Sequence, residues 1–128
     1  MKKLLFFLPL LFVVQLIHAQ TWDWGGPLDP LQAKFQIQQY RLELEIFPET
    51  QSIAGHSTIT FSSQEKLDTL RFQLIDQYQV SKVLMDGKEL TFSHQNDLVD
   101  IISIDCTCDQ VEIFYEGPTP IAQNPPWT

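Results

Sequence analysis

The feature that most constrains this chain is the alternation of apolar and polar residues that begins at Phe35 and recurs as far as Tyr115. Successive residues of an extended strand point to opposite faces, so alternation indicates strands with one buried and one solvated face. No stretch after residue 20 keeps the 3.6-residue apolar period of an amphipathic helix. The pattern therefore predicts an all-β domain.

The first alternating segment, FQIQQYRLELEIF, changes phase part-way along its length. Its first two apolar residues share a face with Tyr40–Ile46 only if one extra residue is accommodated at Gln38 or Gln39. We therefore predict a β-bulge at that pair, which would restore one continuous buried face. Pro48 ends the strand, and a short turn leads into SIAGHSTITF, so the two segments are predicted to form an antiparallel hairpin.

Shorter alternating segments follow at turn spacing: LDTLRFQLI, YQVSKVLM, KELTFS, LVDIISI and QVEIFYE. The dipeptide Asp86-Gly87 is favoured in two-residue hairpin turns, and polar clusters at 76–77 and 94–97 indicate further turns. We predict seven to eight strands over residues 35–117. They would form a curved, saddle-like antiparallel sheet or a two-layer β-sandwich.

The amino-terminal residues 1–19 have the organisation of a signal peptide. Lys2 and Lys3 precede an apolar run, Leu4–Val14, and Ala19 offers a small residue for cleavage. A retained membrane anchor is the alternative, but the run is shorter than the roughly 20 residues that span a bilayer. We expect export to the periplasm or beyond the cell, which leaves 109 of 128 residues and therefore one domain.

The two segments that flank the strands differ from them in composition. Residues 20–34 are rich in Gly, Pro and Asp and predict an irregular lead-in. Trp22 and Trp24 could stack on a sugar, but aromatic anchors for a loose terminus are the commoner use. Residues 118–128, PTPIAQNPPWT, hold four prolines and predict a connector toward a further domain.

The chain is acidic, with a net charge of −8 that becomes more negative if Lys2 and Lys3 are removed. Nucleic acid and anionic membrane surfaces would repel such a protein. We therefore expect neither as a partner of the mature chain.

Histidine and cysteine do not form a recognisable metal motif. His18 lies in the predicted signal, and neither His56 nor His94 opens an HExxH pattern. Cys106 and Cys108 are separated by one residue, and extended chain would hold their Cα atoms roughly 6.6–7.2 Å apart, at the limit for a disulfide. A bridge across a tight turn and two free thiols remain open, and both are favoured over metal binding.

Other reactive residue types are present without the context that chemistry needs. Glu43 and Glu45 alternate with leucines and are expected on a solvated face, and Asp97 and Asp100 lie in or near a turn. The GxSxG context of a nucleophilic serine is missing around Ser57, Ser62, Ser63, Ser93 and Ser103. We predict no catalytic, cofactor-binding or metal-ligating residue in this chain.

Several segments together resemble the amino-terminal domain of the zinc aminopeptidase family typified by aminopeptidase N. They are YRLELEIFPETQSIAGHSTITF, VLMDGKELTFSH, VEIFYEGPTP and NPPW, and the resemblance runs from about Phe35 to Trp127. The family's GxMEN loop and HExxH helix have no counterpart here, and the CTC element at 106–108 is not part of its pattern.

The resemblance implies a curved β domain that packs on a zinc-containing catalytic domain of the same parent chain and helps wall its substrate cavity. It implies zinc and peptidase activity for the parent, and no activity for this chain alone. The alternative is a free-standing secreted β module that binds a protein or a glycan, for which aromatic side chains should gather in a surface patch.

Overall fold

The structure, a computed structural model, describes residues 27–102, 104 and 109–121. These residues form eight strands and one short 3₁₀ turn, Gln32–Lys34, which confirms the predicted all-β fold. The strands are β1 (Phe35–Phe47), β2 (Ser52–Ser63), β3 (Thr69–Gln73), β4 (Gln79–Met85), β5 (Lys88–Glu89), β6 (Phe92–Gln95), β7 (Leu98–Ile102) and β8 (Gln110–Pro118). Within this described part, no helix has the length and apolar character needed to cross a membrane.

Two antiparallel sheets make up the domain. The larger has the order β1-β2-β8-β4-β5, and the smaller has the order β3-β7-β6. The last strand, β8, therefore lies in the middle of the larger sheet, between β2 and β4. The predicted boundaries at residues 19, 34 and 117 stay predictions, and the signal segment, Trp22 and Trp24 lie outside the described residues.

The β1–β2 hairpin contains the predicted bulge. Ile37 is opposite Phe61 and Gln39 is opposite Thr60, so Gln38 is the inserted residue. The shift returns the apolar residues of the second half of β1 to the same face as Ile37, as the change of phase in the sequence predicts. The bulge therefore keeps the whole apolar side of β1 on one face of the sheet.

Tight turns close the shorter hairpins. Asp86 and Gly87, with φ of 51° and 73°, join β4 to β5 in the predicted place. Asn96 and Asp97, with φ of 55° and 61°, join β6 to β7 in the same way. Asparagine, aspartate and glycine adopt this left-handed region most readily, which explains why these dipeptides mark the turns.

A single hydrophobic core joins the two sheets. Leu70, Val83, Val99, Ile101 and Val111 are fully buried and come from both layers. At one corner the ring of Phe35 lies 5.8 Å from Phe61 and 5.5 Å from Phe72, centroid to centroid. The domain is therefore a two-layer β-sandwich, one of the two predicted arrangements.

The two layers do not overlap completely, and the expectation of a continuous buried face on β1 is wrong beyond Phe35. Tyr40, Leu42, Leu44 and Ile46 are opposite Ile59, Ser57, Gly55 and Ile53 of β2, on the core side of the sheet. Their neighbours Ile59 and Ser57 are buried, but they themselves are exposed. The alternation correctly assigns these residues to one face, but the three-stranded layer is too narrow to cover them.

Candidate functional site

The surface that stands out is an apolar strip on the outermost strand of the larger sheet, called the β1 strip. It consists of Tyr40, Leu42, Leu44 and Ile46, which are 55%, 58%, 43% and 69% exposed. Desolvation by its neighbours raises the pKa of the Tyr40 hydroxyl. Large contiguous apolar patches on a protein surface usually mark an interaction site. The strip extends the core face of the sandwich past the edge of its second layer.

The opposite face of the same sheet carries a row of four cross-strand neighbours, called the outer row. The Lys82 ammonium lies 4.3 Å from the centroid of the Phe114 ring, and the His56 imidazole stacks on that ring at 4.8 Å. His56 Nε2 then lies 3.9 Å from Glu43 Oε1. These residues are brought together by strand register, since Lys82, Phe114, His56 and Glu43 are successive direct partners across β4, β8, β2 and β1.

The outer row has the geometry of a stabilising surface cluster. One imidazole stacked on a phenyl ring, with a single carboxylate beyond hydrogen-bond distance, provides neither a nucleophile and base pair nor a set of metal ligands. Glu43 Oε1 is instead 2.8 Å from Arg41 Nη2 on its own strand. Glu43 and Glu45 are exposed on this face, as their alternation with leucines predicts.

The second histidine lies in the other layer. His94 is on β6, and its Nε2 is 2.9 Å from the carbonyl oxygen of Leu74 and 3.6 Å from Asp76 Oδ1. It is therefore a largely covered side chain with a backbone partner. Among the described residues, no three histidine, cysteine, aspartate or glutamate side chains are placed to hold a metal ion.

The aspartates considered as acids or bases are used in turns and ion pairs. Asp97 and Asp76 each accept a hydrogen bond from the other's backbone N–H, at 2.7 and 2.9 Å. Asp100 accepts two hydrogen bonds from Arg71, at 2.6 and 2.7 Å, across β7 and β3. Both carboxyl groups are therefore engaged in structural hydrogen bonds.

Arg71 also connects the residues before β1 to the smaller sheet. Its Nη1 donates to Asp29 Oδ2 at 3.0 Å, and the Leu31 N–H donates to Asp29 Oδ1 at 2.8 Å. The Leu31 N–H, and then Arg71, lower the pKa of the Asp29 carboxyl. The hydrogen bonds that Arg71 donates to Asp100, and then to Asp29, raise the pKa of Arg71. The sequence offered no sign of this network, because its members are distant along the chain.

Three of the candidate serines, Ser57, Ser62 and Ser63, have structural hydrogen-bond partners. The Ser57 hydroxyl is buried and lies 3.1 Å from the Tyr115 hydroxyl, and Ser62 Oγ accepts from Gln38 Nε2 at 2.9 Å. Ser63 Oγ donates to the carbonyl oxygens of Lys34 and Glu65. Ser93 lies on β6 beside β7. Ser103, Cys106 and Cys108 lie outside the described residues, so the state of the cysteines stays a prediction.

The clefts formed by the described residues do not add a reaction centre to the groups considered above, and the cleft beside His56 and Glu43 belongs to the outer row. One of about 580 Å³ lies at the end of β2 and is lined by Thr60, Phe61, Leu67 and Ile104, among others. Its charged lining residues are Glu65, Lys66 and Asp109, and it has no histidine. An apolar wall with scattered charges is ordinary for a sandwich edge and does not by itself assign a ligand.

Comparison with known proteins gives a likeness in fold. An M1 zinc metallopeptidase from Deinococcus radiodurans, solved with a Tyr-Ser-Ala substrate, matches 72% of this chain with a TM-score of 0.59 and 18% identity. A two-domain M1 zinc metallopeptidase bound to L-tryptophan matches 73% with a TM-score of 0.61 and 19% identity. Yeast LTA4 hydrolase bound to bestatin matches 72% with a TM-score of 0.59 and 18% identity.

This chain has the fold of a domain found in M1 zinc metallopeptidases. It spans 22% of the first metallopeptidase, 23% of the second and 16% of the yeast enzyme, so the likeness concerns one part of those proteins. No known family model and no curated protein matches the sequence. At such low identity the M1 likeness establishes architecture, and the activity of those enzymes does not follow from it.

Proposed function

We propose that this chain is the amino-terminal structural domain of an exported zinc aminopeptidase. It packs on the catalytic domain and helps wall the substrate cavity, and it is not catalytic by itself. The observation that carries the proposal is the β1 strip, a core-type surface left uncovered in a chain whose fold matches one part of M1 metallopeptidases.

The composition of the strip favours a protein surface as its cover. Three of its four residues are aliphatic, and it continues the face that packs against the second layer elsewhere. Covering apolar surface stabilises a contact by roughly 25 cal/mol per Å² removed from water. A neighbouring domain of the same chain can do this without the loss of translational freedom that a separate partner pays.

The alternative, a free-standing module that binds a glycan, has less support. Sugar-binding surfaces depend on exposed aromatic rings that stack on the ligand. Among the large exposed hydrophobic residues that the structure describes, Tyr40 alone is aromatic; the others are leucines and isoleucines. A module that binds a protein remains the second candidate, because the strip would serve that purpose as well.

Zinc enters this proposal only through the rest of the enzyme. The described residues do not offer a set of three ligands, so they do not fit the ion. We therefore assign no zinc ligand and no catalytic step to this chain. Its part is to supply a rigid wall beside the site that binds the metal.

The decisive experiment begins with the gene. The reading frame should continue past codon 128 into GxMEN and HExxH segments, and its product should cleave an aminoacyl chromogenic substrate in a chelator-sensitive way. Mass spectrometry of the exported product should place its first residue at Gln20. A natural stop after codon 128, or a continuation without these segments, would favour the free-standing module.

Paired variants of that product then test the strip. Leu44→Lys places a charge in the β1 strip, whereas Glu45→Lys changes the adjacent residue on the solvated face. Leu44→Lys should lower both the activity and the melting temperature of the intact enzyme, and Glu45→Lys should change neither. Equal behaviour of the two variants would show that the strip does not contact the catalytic domain.

A further inference from the structure

The outer edge of β1 carries a long row of backbone N–H and C=O groups that do not pair with another described strand. β1 is 13 residues long, and within the described part of the chain it pairs with β2 on one side and with no strand on the other. Its sequence contains neither proline nor lysine, two residues that commonly protect a sheet edge from pairing. Its core-side residues form the exposed β1 strip. Free backbone groups and apolar side chains therefore lie along the same line.

We propose that this edge is a self-complementary dimer surface that takes a second copy of this chain. The two β1 strands would pair antiparallel about a two-fold axis at Leu42. Each sheet of five strands would then continue into the other. The proposal goes beyond the proposed function and does not depend on it, although a catalytic domain that covers β1 would exclude the second copy.

The charges on the outer face of β1 select this register. Residues opposite each other in a symmetric antiparallel pair must share a face, so the axis passes through a residue. With the axis at Leu42, each Arg41 is opposite the second copy's Glu43, and Glu45 is opposite the uncharged Gln39. On the strip side, Leu42 meets Leu42, and Tyr40 meets the second copy's Leu44. All charged pairs are then attractive.

Neighbouring registers bring like charges together. An axis at Arg41 would place two arginines directly opposite, and an axis at Glu43 would place two glutamates opposite. An axis at Leu44 would set Glu43 against Glu45 twice. Like charges directly opposite on adjacent strands are destabilising. An axis at Tyr40 avoids like pairs too, but it sets Arg41 opposite the uncharged Gln39 and provides no attractive pair. Among these five registers, the axis at Leu42 alone combines attractive charged pairs with the absence of like pairs.

The existing contacts of Arg41 and Glu43 fit this arrangement. Both side chains are well exposed, and Arg41 Nη2 already lies 2.8 Å from Glu43 Oε1 along the strand. Across the axis the four charges of two copies would alternate in sign around a small ring. The contact surface is only one strand wide, so its buried area should be that of small interfaces, below about 1,200 Å². Interfaces of that size give transient complexes. The dimer should therefore depend on concentration.

The test measures the dimer by sedimentation velocity of residues 20–128, the chain expected after signal cleavage, over about a hundred-fold range of concentration, since dimerisation follows mass action. Arg41→Glu or Glu43→Arg alone creates two like-charged pairs and should raise the dissociation constant by about tenfold or more. The double variant R41E/E43R restores opposite charges and should return it to within about threefold of the original. Circular dichroism and thermal melting confirm that each variant is folded.

Glu45→Arg is the matched control, because it makes the same change of charge on the same face opposite Gln39. It should alter the dissociation constant by less than about twofold. A chain that stays monomeric throughout, a swap that fails to restore the dimer, or a control as disruptive as Glu43→Arg would each overturn the proposal. The proposed function is tested separately on the longer gene product, in which a catalytic domain that covers β1 would exclude the second copy.

Discussion

Gly55 lies opposite Leu44, where the β1 backbone leaves no room for a side chain, and replacing it by alanine should weaken the domain severely. An added Cβ would fall on the carbonyl oxygen of Glu43 and within 3.0 Å of the Leu44 Cα. Both contacts are with backbone, so no side chain can rotate away. The β1 strand itself would have to move off β2.

The magnitude follows from two terms. Overpacking a well-packed site costs about 1–3 kcal/mol, and each ladder hydrogen bond lost as β1 moves costs a further 0.5–1.5 kcal/mol or so. We expect Gly55→Ala to lower the free energy of unfolding by about 2–4 kcal/mol. For a domain of this size that corresponds to a drop in melting temperature of roughly 10–25 °C.

Gly87→Ala is the control, because it makes the same chemical change at a site where the cost has a different physical cause. Gly87 has a φ of 73° and no atom within 4 Å of an added Cβ. Its cost is the left-handed conformation, about 1–2 kcal/mol, reduced by about 0.4–1 kcal/mol because alanine restricts the unfolded chain. In urea and thermal unfolding, Gly55→Ala should destabilise the domain clearly more than Gly87→Ala does. The reverse order would refute the register that places Leu44 opposite Gly55.

Two further predictions concern polar contacts. The Asp29 carboxyl has a lowered pKa in the folded state, so its contribution to folding stability is present above the unfolded pKa and is lost as pH falls below about 4. The wild type should therefore lose its stability advantage over Asp29→Asn on acidification. An advantage that grows as pH falls would contradict the Arg71 contact. Tyr115→Phe leaves the buried Ser57 hydroxyl without its partner and should cost about 1–3 kcal/mol in urea unfolding. Ser57→Ala should cost less stability in the Tyr115→Phe background than in the wild type, because the hydrogen bond is already lost there. Strictly additive changes in unfolding free energy would show that the two hydroxyls do not interact.

Local features of this fold could be predicted from the sequence because their causes are local. The alternation predicted the strands, and Asp86-Gly87 predicted a hairpin turn. The change of phase after Ile37 predicted a bulge at Gln38 or Gln39, and the structure has it at Gln38. Each depends on the chirality and spacing of a few consecutive residues. The Leu90 and Phe92 segment was less well predicted, since KELTFS divides into β5 and β6, which belong to different sheets.

Features that depend on distant residues could not be predicted. Alternation shows that Leu42 and Leu44 share a face, but the width of the opposing layer decides whether anything covers that face. The outer row requires the register of four strands, and the contact of Arg71 with Asp29 joins residues 42 positions apart. Such neighbours follow from sheet order, which periodicity does not encode.

The central position of β8 has a consequence for how the domain is assembled during synthesis. Ser52 is opposite Pro118, and Gln79 is opposite Glu116, so the two halves of the larger sheet meet only through this strand. Until β8 emerges from the ribosome, β2 and β4 each have an unpaired hydrogen-bonding edge that another extended segment could occupy. Such long-range closure is slow and leaves nascent chains vulnerable to mispairing. A chaperone that holds the nascent chain should therefore matter most just before Val111–Tyr115 is released.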